Sequence, residues 1–137
     1  MPTRLTENNF ECRVSSVLNR NVQSYGKMYM FDNCSETCWN SDAGSPQWVL
    51  VTFEEECGLS SFEVEFQGGF AGKNCRIEAG NDKKELAFVE TFYPEDKNKP
   101  QRFDLKNRIR AKVFKFVFDE SYDFFGRIII YDLSLYS

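Results

Sequence analysis

Between residues 112 and 119 every second side chain carries a phenyl ring: Phe114, Phe116 and Phe118 alternate with Val113, Lys115 and Val117. Only a pleated strand puts residues of period two on one face; a helix would scatter the three rings around its axis. Phe62-Glu63-Val64-Glu65-Phe66 repeats the pattern with glutamates on the second face, so one side reads as core and the other as water. Two such runs predict sheets that bury one face each and cover one another.

The other strand signals fit that scheme. Trp48-Val49-Leu50-Val51-Thr52-Phe53 is a β-rich run opened by Ser45-Pro46, and Gly68-Gly69 ends the Phe62–Phe66 alternation. Residues 85–93 read as a strand closed by Pro94-Glu95-Asp96, and residues 101–105 as a shorter one. Residues 127–136 form the last strand, with a nearly continuous apolar first half, as expected where both faces are covered. Helical periodicity is scarce: a single turn is expected within residues 19–25, with Val22 as its apolar contact, or within residues 106–110. Glu54-Glu55-Glu56 reads as a solvated turn. Fourteen Phe, six Tyr and two Trp suit a half-buried pleated surface. The expected fold is all-β, an antiparallel β-sandwich of jelly-roll type, with residues 1–137 as one domain. Trp39 and Trp48 each adjoin a strand or a structural turn and are assigned to its core.

The residue inventory restricts the chemistry. There is no histidine, so neither a Ser-His-Asp triad, a Cys-His pair nor a His-ligated zinc can be built. Of the five cysteines, only Cys34 and Cys38 are close in sequence, which is not the paired spacing of a four-cysteine zinc site. Carboxylates are plentiful, but no pair stands out by spacing or apolar setting, and no enzyme activity is expected. The N-terminal residues 1–9 lack an apolar core, and no apolar run is long enough to cross a bilayer. With an odd number of thiols, this predicts reduced cysteines and a location in the nucleus, the cytoplasm or both. Net charge −4 argues against a nucleic-acid or anionic-membrane surface spanning the domain. The one basic cluster, Lys106-Asn107-Arg108-Ile109-Arg110-Ala111-Lys112, reads as a nuclear-import address, a small patch for an acidic partner, or a solvated strand face.

Phe31-Asp32-Asn33-Cys34-Ser35-Glu36-Thr37-Cys38-Trp39-Asn40-Ser41 is the most specific segment. Two readings stand. Asp32 and Thr37, with inward carbonyls of the loop, could offer hard oxygen ligands to Ca²⁺. Alternatively, they close an Asx-type turn by binding local backbone N–H groups.

Asp32…Thr37-Cys38-Trp39-Asn40-Ser41, followed by Pro46-Gln47-Trp48 and the strand after it, resembles the discoidin domains, also called coagulation-factor type C domains. Gln67-Gly68-Gly69 and the terminal Ile130-Tyr131-Asp132-Leu133-Ser134-Leu135-Tyr136 fit the same family, and the resemblance covers nearly the whole chain. It implies a galactose-binding-domain-like jelly roll. Four stretches are similar to a small single-domain branch whose members associate with a nuclear receptor: residues 13–21, Phe66-Gln67-Gly68-Gly69-Phe70, Phe92-Tyr93-Pro94-Glu95-Asp96 and Asp123-Phe124-Phe125-Gly126-Arg127. That resemblance implies an adaptor or repressor-type co-regulator with a nuclear receptor as its protein partner. The family also implies a structural Ca²⁺ held by Asp32, Cys34 and Thr37 of the loop and Asp132 of the last strand. Here Asn33 and Cys34 stand where extracellular relatives often place Gly and a second Asp. Secreted relatives tie their ends with a disulfide, for which Cys12 has no candidate partner after Cys75.

Strand-connecting loops gather at the ends of a sandwich, where binding sites usually lie. Phe70, Lys73, Tyr93, Asp96, Phe124 and Arg127 are therefore the expected partner-binding residues, in a chain acting as a monomer. Phe92 and Phe125 are expected to fold back and plug the sandwich. The alternative function is a carbohydrate-binding module, with Gln67, Asn74 and Arg127 serving the sugar hydroxyls.

Overall fold

The computed structural model describes residues 3–7 and 9–137. Met1, Pro2 and Asn8, part of the polar N-terminal segment, lie outside the described residues. Seven strands follow in order: β1 (Phe10–Val14), β2 (Trp39–Asn40), β3 (Gln47–Phe66), β4 (Gly72–Gly80), β5 (Ala87–Phe92), β6 (Pro100–Ser121) and β7 (Ile129–Tyr136). A one-turn helix, α1 (Val22–Tyr25), sits in the expected place, where the Asn21 side chain accepts a bond from Ser24 N. Val22 stands 54% exposed, so it is not the core contact its place in the sequence suggests.

All pairings are antiparallel, and two strands take part in both layers. The first half of β3 lies between β1 and the second half of β6, which continues to β4 and β5. The second half of β3 lies between the first half of β6 and β7, and β7 carries β2 at its edge. Register shifts between Thr52 and Cys57 and between Leu59 and Ser61 mark where β3 turns the corner. The runs at 48–53 and 62–66 are thus one strand rather than two. Glu54-Glu55-Glu56 is its exposed corner rather than a turn. Likewise 101–105 and 112–119 are the two halves of β6, and residues 106–110, one candidate for a helical turn, are extended. The register steps over residues 54–56 and 105–108, and the flanking pairs, Thr52–Val113 with Cys57–Ala111 and Leu59–Ile109 with Ser61–Asp104, carry both strands through the bend, so tertiary pairing overrides the local polar signal.

Strands β1, β2 and β4 lie outside the expected set. Gly-Lys-Asn-Cys-Arg-Ile-Glu-Ala-Gly makes β4, whose inward Cys75, Ile77 and Ala79 are too small and too few to announce a strand. Edge strand β1 alternates half-buried Phe10, Cys12 and Val14 with exposed Glu11 and Arg13, a period-two pattern in the sequence itself that the expected set left out.

The core is made of rings from both layers. Phe62 meets Phe116 at 5.0 Å, Phe92 at 4.9 Å and Phe103 at 5.2 Å between centroids, and Phe66 meets Phe118 at 5.9 Å. Such edge-to-face and offset pairs add to the stabilisation from area alone. Trp39 is fully buried, with Nε1–H donating to Ser16 O at 2.9 Å. Trp48 departs from its expected core position: it lies half-buried on the outer face, with Lys115 Nζ 4.9 Å from its ring. The outer positions Leu50, Val113 and Val117 are nonetheless buried.

Phe62→Ala is expected to cost about 3–5 kcal/mol in a urea denaturation experiment, since Phe92, Phe103 and Phe116 lose their contact with this ring at once. Phe124→Ala, at a site 93% exposed, should move stability by less than about 0.5 kcal/mol.

Candidate functional site

Register fixes which loops share an end. Glu65 lies opposite Pro100 and Gly72 opposite Ser121, so residues 67–71, 93–99 and 121–128 emerge together. Hydrogen bonds then stitch them. Gly69 N donates to Asp96 Oδ1 at 2.8 Å and Gly68 N to Asn98 Oδ1 at 2.6 Å. Tyr122 N donates to Ala71 O at 3.0 Å, and Tyr122 Oη to Pro94 O at 3.2 Å. Arg127 lays its guanidinium 4.8 Å from the Phe70 ring centre, and Lys73 Nζ is 5.8 Å from that of Tyr122.

All six expected partner-binding residues therefore belong to one end, but they play different parts. Asp96 is a tie between loops, and Phe70 is half-buried under Arg127. The rings that stand in water are Phe124 at 93% exposure, Phe125 at 66% and Tyr93 at 65%, with Tyr122 beside them. Phe92 is buried as expected, but Phe125 is not the plug it was expected to be. The cause lies in the neighbouring glycine. Gly126 has φ +85°, and a Cβ there would sit 2.8 Å from the Gly44 carbonyl and 2.7 Å from Ser45 Oγ. With no side chain at 126, residues 44–45 close against the loop, and Gly44 N donates to Phe125 O at 2.7 Å. The backbone of Phe125 is thereby held inward and its ring turned out. The Phe124 and Phe125 rings meet edge to face at 5.3 Å.

The polar side chains expected to serve sugar hydroxyls are already engaged. Gln67 Oε1 accepts from Tyr131 Oη at 3.1 Å, Asn74 Nδ2 donates to Glu120 Oε1 at 2.9 Å, and Arg127 covers Phe70.

No protein-family model matches the chain. The nuclear receptor 2C2-associated protein of Danio rerio is 46% identical over 98% of this chain and 96% of its own length. The Homo sapiens protein of that name is 42% identical over 88% and 86%. The chain belongs to the nuclear receptor 2C2-associated protein family.

Among solved structures, a family 32 carbohydrate-binding module of C. perfringens in complex with galactose superposes with a TM-score of 0.83 at 17% identity, each chain covered in full. An F5/8 type C domain of Bacteroides fragilis gives 0.83 at 14% identity, over 99% of this chain and 96% of that one. At such identities the likeness concerns the fold: a galactose-binding-like, discoidin-type sandwich.

In this member of the nuclear receptor 2C2-associated protein family, the loop after Phe31 closes on itself. Asp32 Oδ1 accepts from Cys34 N at 3.1 Å, and Thr37 Oγ1 donates to Asp32 Oδ2. That is an Asx-type turn, with Asn33 in the left-handed region at φ 59°. Across a cleft that also holds Cys34, Asp132 accepts from Ser134 Oγ at 2.9 Å and faces Arg4 Nη2 at 3.8 Å. Burial pushes the Asp132 carboxyl above its ordinary range, against the pull of Ser134 and Arg4. The oxygens of Asp32, Cys34 C=O, Thr37 and Asp132 have the hardness Ca²⁺ requires. The set is nonetheless thin in carboxylates, and a guanidinium already stands beside one of them.

All five cysteines are free thiols. Burial pushes Cys12 up to about 12 and raises Cys75, Cys38 and Cys57, while Cys34 is exposed. Because the thiolate is the nucleophile, an aromatic disulfide reagent at mildly alkaline pH should label Cys34 first. Cys12 and Cys75 should react only on unfolding, as peptide mass mapping over time would show.

Proposed function

We propose that this chain is a non-catalytic interaction module that associates with a nuclear receptor through the aromatic end of its sandwich. The observation that carries the reading is the set of exposed rings Tyr93, Phe124 and Phe125 on loops held by the bonds described above. Rigid, solvent-facing aromatics flanked by cations have the character of interface anchors, because they bury much area at little entropic cost. Lys73 and Arg127, each set against a ring, form the cationic flank. The relatives supply the partner class, being named for association with nuclear receptor 2C2.

The test is retention of purified nuclear receptor 2C2 by the immobilised chain. Phe124→Ala combined with Tyr93→Ala should weaken retention at least about tenfold with an unchanged melting temperature, as expected for removing two anchors. Undiminished retention by this folded double variant would remove the aromatic end from the reading. No retention by the parent chain would remove the receptor.

The same reading gives calcium a structural part, with Asp32, Cys34 C=O, Thr37 and Asp132 as its holders. Millimolar CaCl₂, but not MgCl₂, should then raise the melting temperature, and Asp32→Ala should abolish the rise. An equal response of parent and variant would discard the site.

A further inference from the structure

At the end of the sandwich opposite the aromatic loops, the two layers part. Between the pairs Ser61–Asp104 and Leu59–Ile109, β3 advances two residues (59 to 61) while β6 advances five (104 to 109). The surplus bulges residues 105–108 outward. Higher up, the gap between β5 and β6 is shut by Phe92 against Phe103 at 5.2 Å. Below that contact it opens into a groove of about 410 Å³ lined by Phe88, Val89, Glu90, Lys106, Arg108 and Ile109 among others.

We propose that this groove docks a short, extended, acidic segment of another protein, which adds a strand to β5. Three observations converge on that occupant. First, β5 is the last strand of its sheet and among the described residues pairs only with β4, so its outer edge has no partner strand there. Unpaired strand edges recruit extended peptides, with main-chain bonds giving affinity and side-chain pockets giving selectivity. Second, Phe88 stands 62% exposed on that edge, with Ile109 and Val89 across and beside it, so the groove offers an apolar anchor point. Third, Lys106 and Arg108 are exposed and form no ion pair among the described residues. They are an unneutralised cationic rim on a chain of net charge −4. The one carboxylate in the groove, Glu90, already accepts from Lys106 N at 3.3 Å.

The geometry also limits the occupant. Ile77 pairs with Glu90 and Glu78 with Phe88, which leaves Val89 as a bulge. A bulged edge supports a few added ladder bonds rather than a long strand, so the segment is short. Arg108, which lines the groove, lies over Gly58 of β3, where a Cβ would overlap its guanidinium, so the glycine leaves room for the cation there. The surface is separate from the aromatic loops, so this inference does not rest on the receptor reading.

The experiment uses the full chain, ¹⁵N-labelled, titrated with a synthetic peptide of about eight residues in which Glu and Val alternate, and with its Lys-for-Glu counterpart. Amide shifts from the acidic peptide should fall on residues 87–91 and 106–109, and the lysine peptide should bind at least about tenfold more weakly, since like charges then face each other across the rim. Lys106→Glu with Arg108→Glu should weaken the acidic peptide about tenfold, and Phe88→Ala should weaken both peptides, each at unchanged melting temperature. Should the charge variant not fold, Phe88→Ala and the two peptides on the parent chain still decide. Shifts confined to residues 67–71 and 121–128, equal affinity for both peptides, or no saturable shift by about 1 mM would overturn the proposal. So would a peptide-independent dimer abolished by Phe88→Ala, because the edge would then belong to a second copy of the chain.

Discussion

Each layer of this sandwich is half of the same two strands. Because β3 and β6 run through both sheets and pair with each other in both, the layers cannot slide or rotate independently. The core is then a consequence of register. Phe62 on the far half of β3 must meet Phe116 on the far half of β6, and Phe66 must meet Phe118, since the strand bends fix how far each ring lies past the corner. A one-residue slip would turn Phe114, Phe116 and Phe118 outward together and expose three large rings, so the register is strongly specified. The same constraint delivers the loops. Once Glu65 faces Pro100 and Gly72 faces Ser121, three connections have one end of the molecule as their only exit.

What holds those connections still is a buried polar knot around Gln47. Its Oε1 accepts from Ser15 Oγ and Ser16 Oγ, and its Nε2 donates to Asp42 O at 3.1 Å and Gly44 O at 2.8 Å. Ser41 joins the 121–128 connection to the same region, accepting from Ile128 N at 2.8 Å while its own N donates to Ile128 O. A buried amide costs about 1–3 kcal/mol for each group left unpaired, so a site this fully satisfied selects one arrangement of residues 41–46. That arrangement presents Gly44 to Phe125 and lets Gly126 close behind it. The exposure of Phe124 and Phe125 thus traces back through a glycine to a glutamine amide in the interior.

How much of this could be read from the chain follows from the physics of each signal. Alternation at 62–66 and 112–119 revealed the core face, because the phenyl rings of each run share one dry side, while the other side is half-buried at Glu63, Glu65 and Lys115 and buried at Val113 and Val117. Continuity was hidden. Polar residues at 54–56 and 106–108 look like turns, but here they are a strand corner and a bulge, carried by flanking pairs between residues distant in sequence. Strand β4 was hidden for another reason: it is central in its sheet but supplies only Cys75, Ile77 and Ala79 to the core. At the aromatic end, residue types marked the loops correctly, while the direction of each ring depended on its neighbour. Phe92 turns in beside Phe62, and Phe125 turns out because of Gly126. Exposed Phe88 had no signal at all, since it sits inside an ordinary strand pattern.

The two ends differ in chemistry and are electrically separate. Phe88 pairs with Glu78, six residues along β4 from Gly72 at the loop end, so the cationic rim lies roughly 20 Å away at ~3.3 Å per strand residue. That is more than twice the Debye length of about 8 Å at physiological ionic strength, so charge brought to one end is screened from the other. The strands between are packed on buried rings, and a close-packed interior resists rearrangement. Binding at the β5 groove and at the aromatic loops should therefore be additive, with each partner indifferent to the other. A coupling between them would require the β3–β6 register itself to move, and the burial of Phe62, Phe114 and Phe116 opposes that.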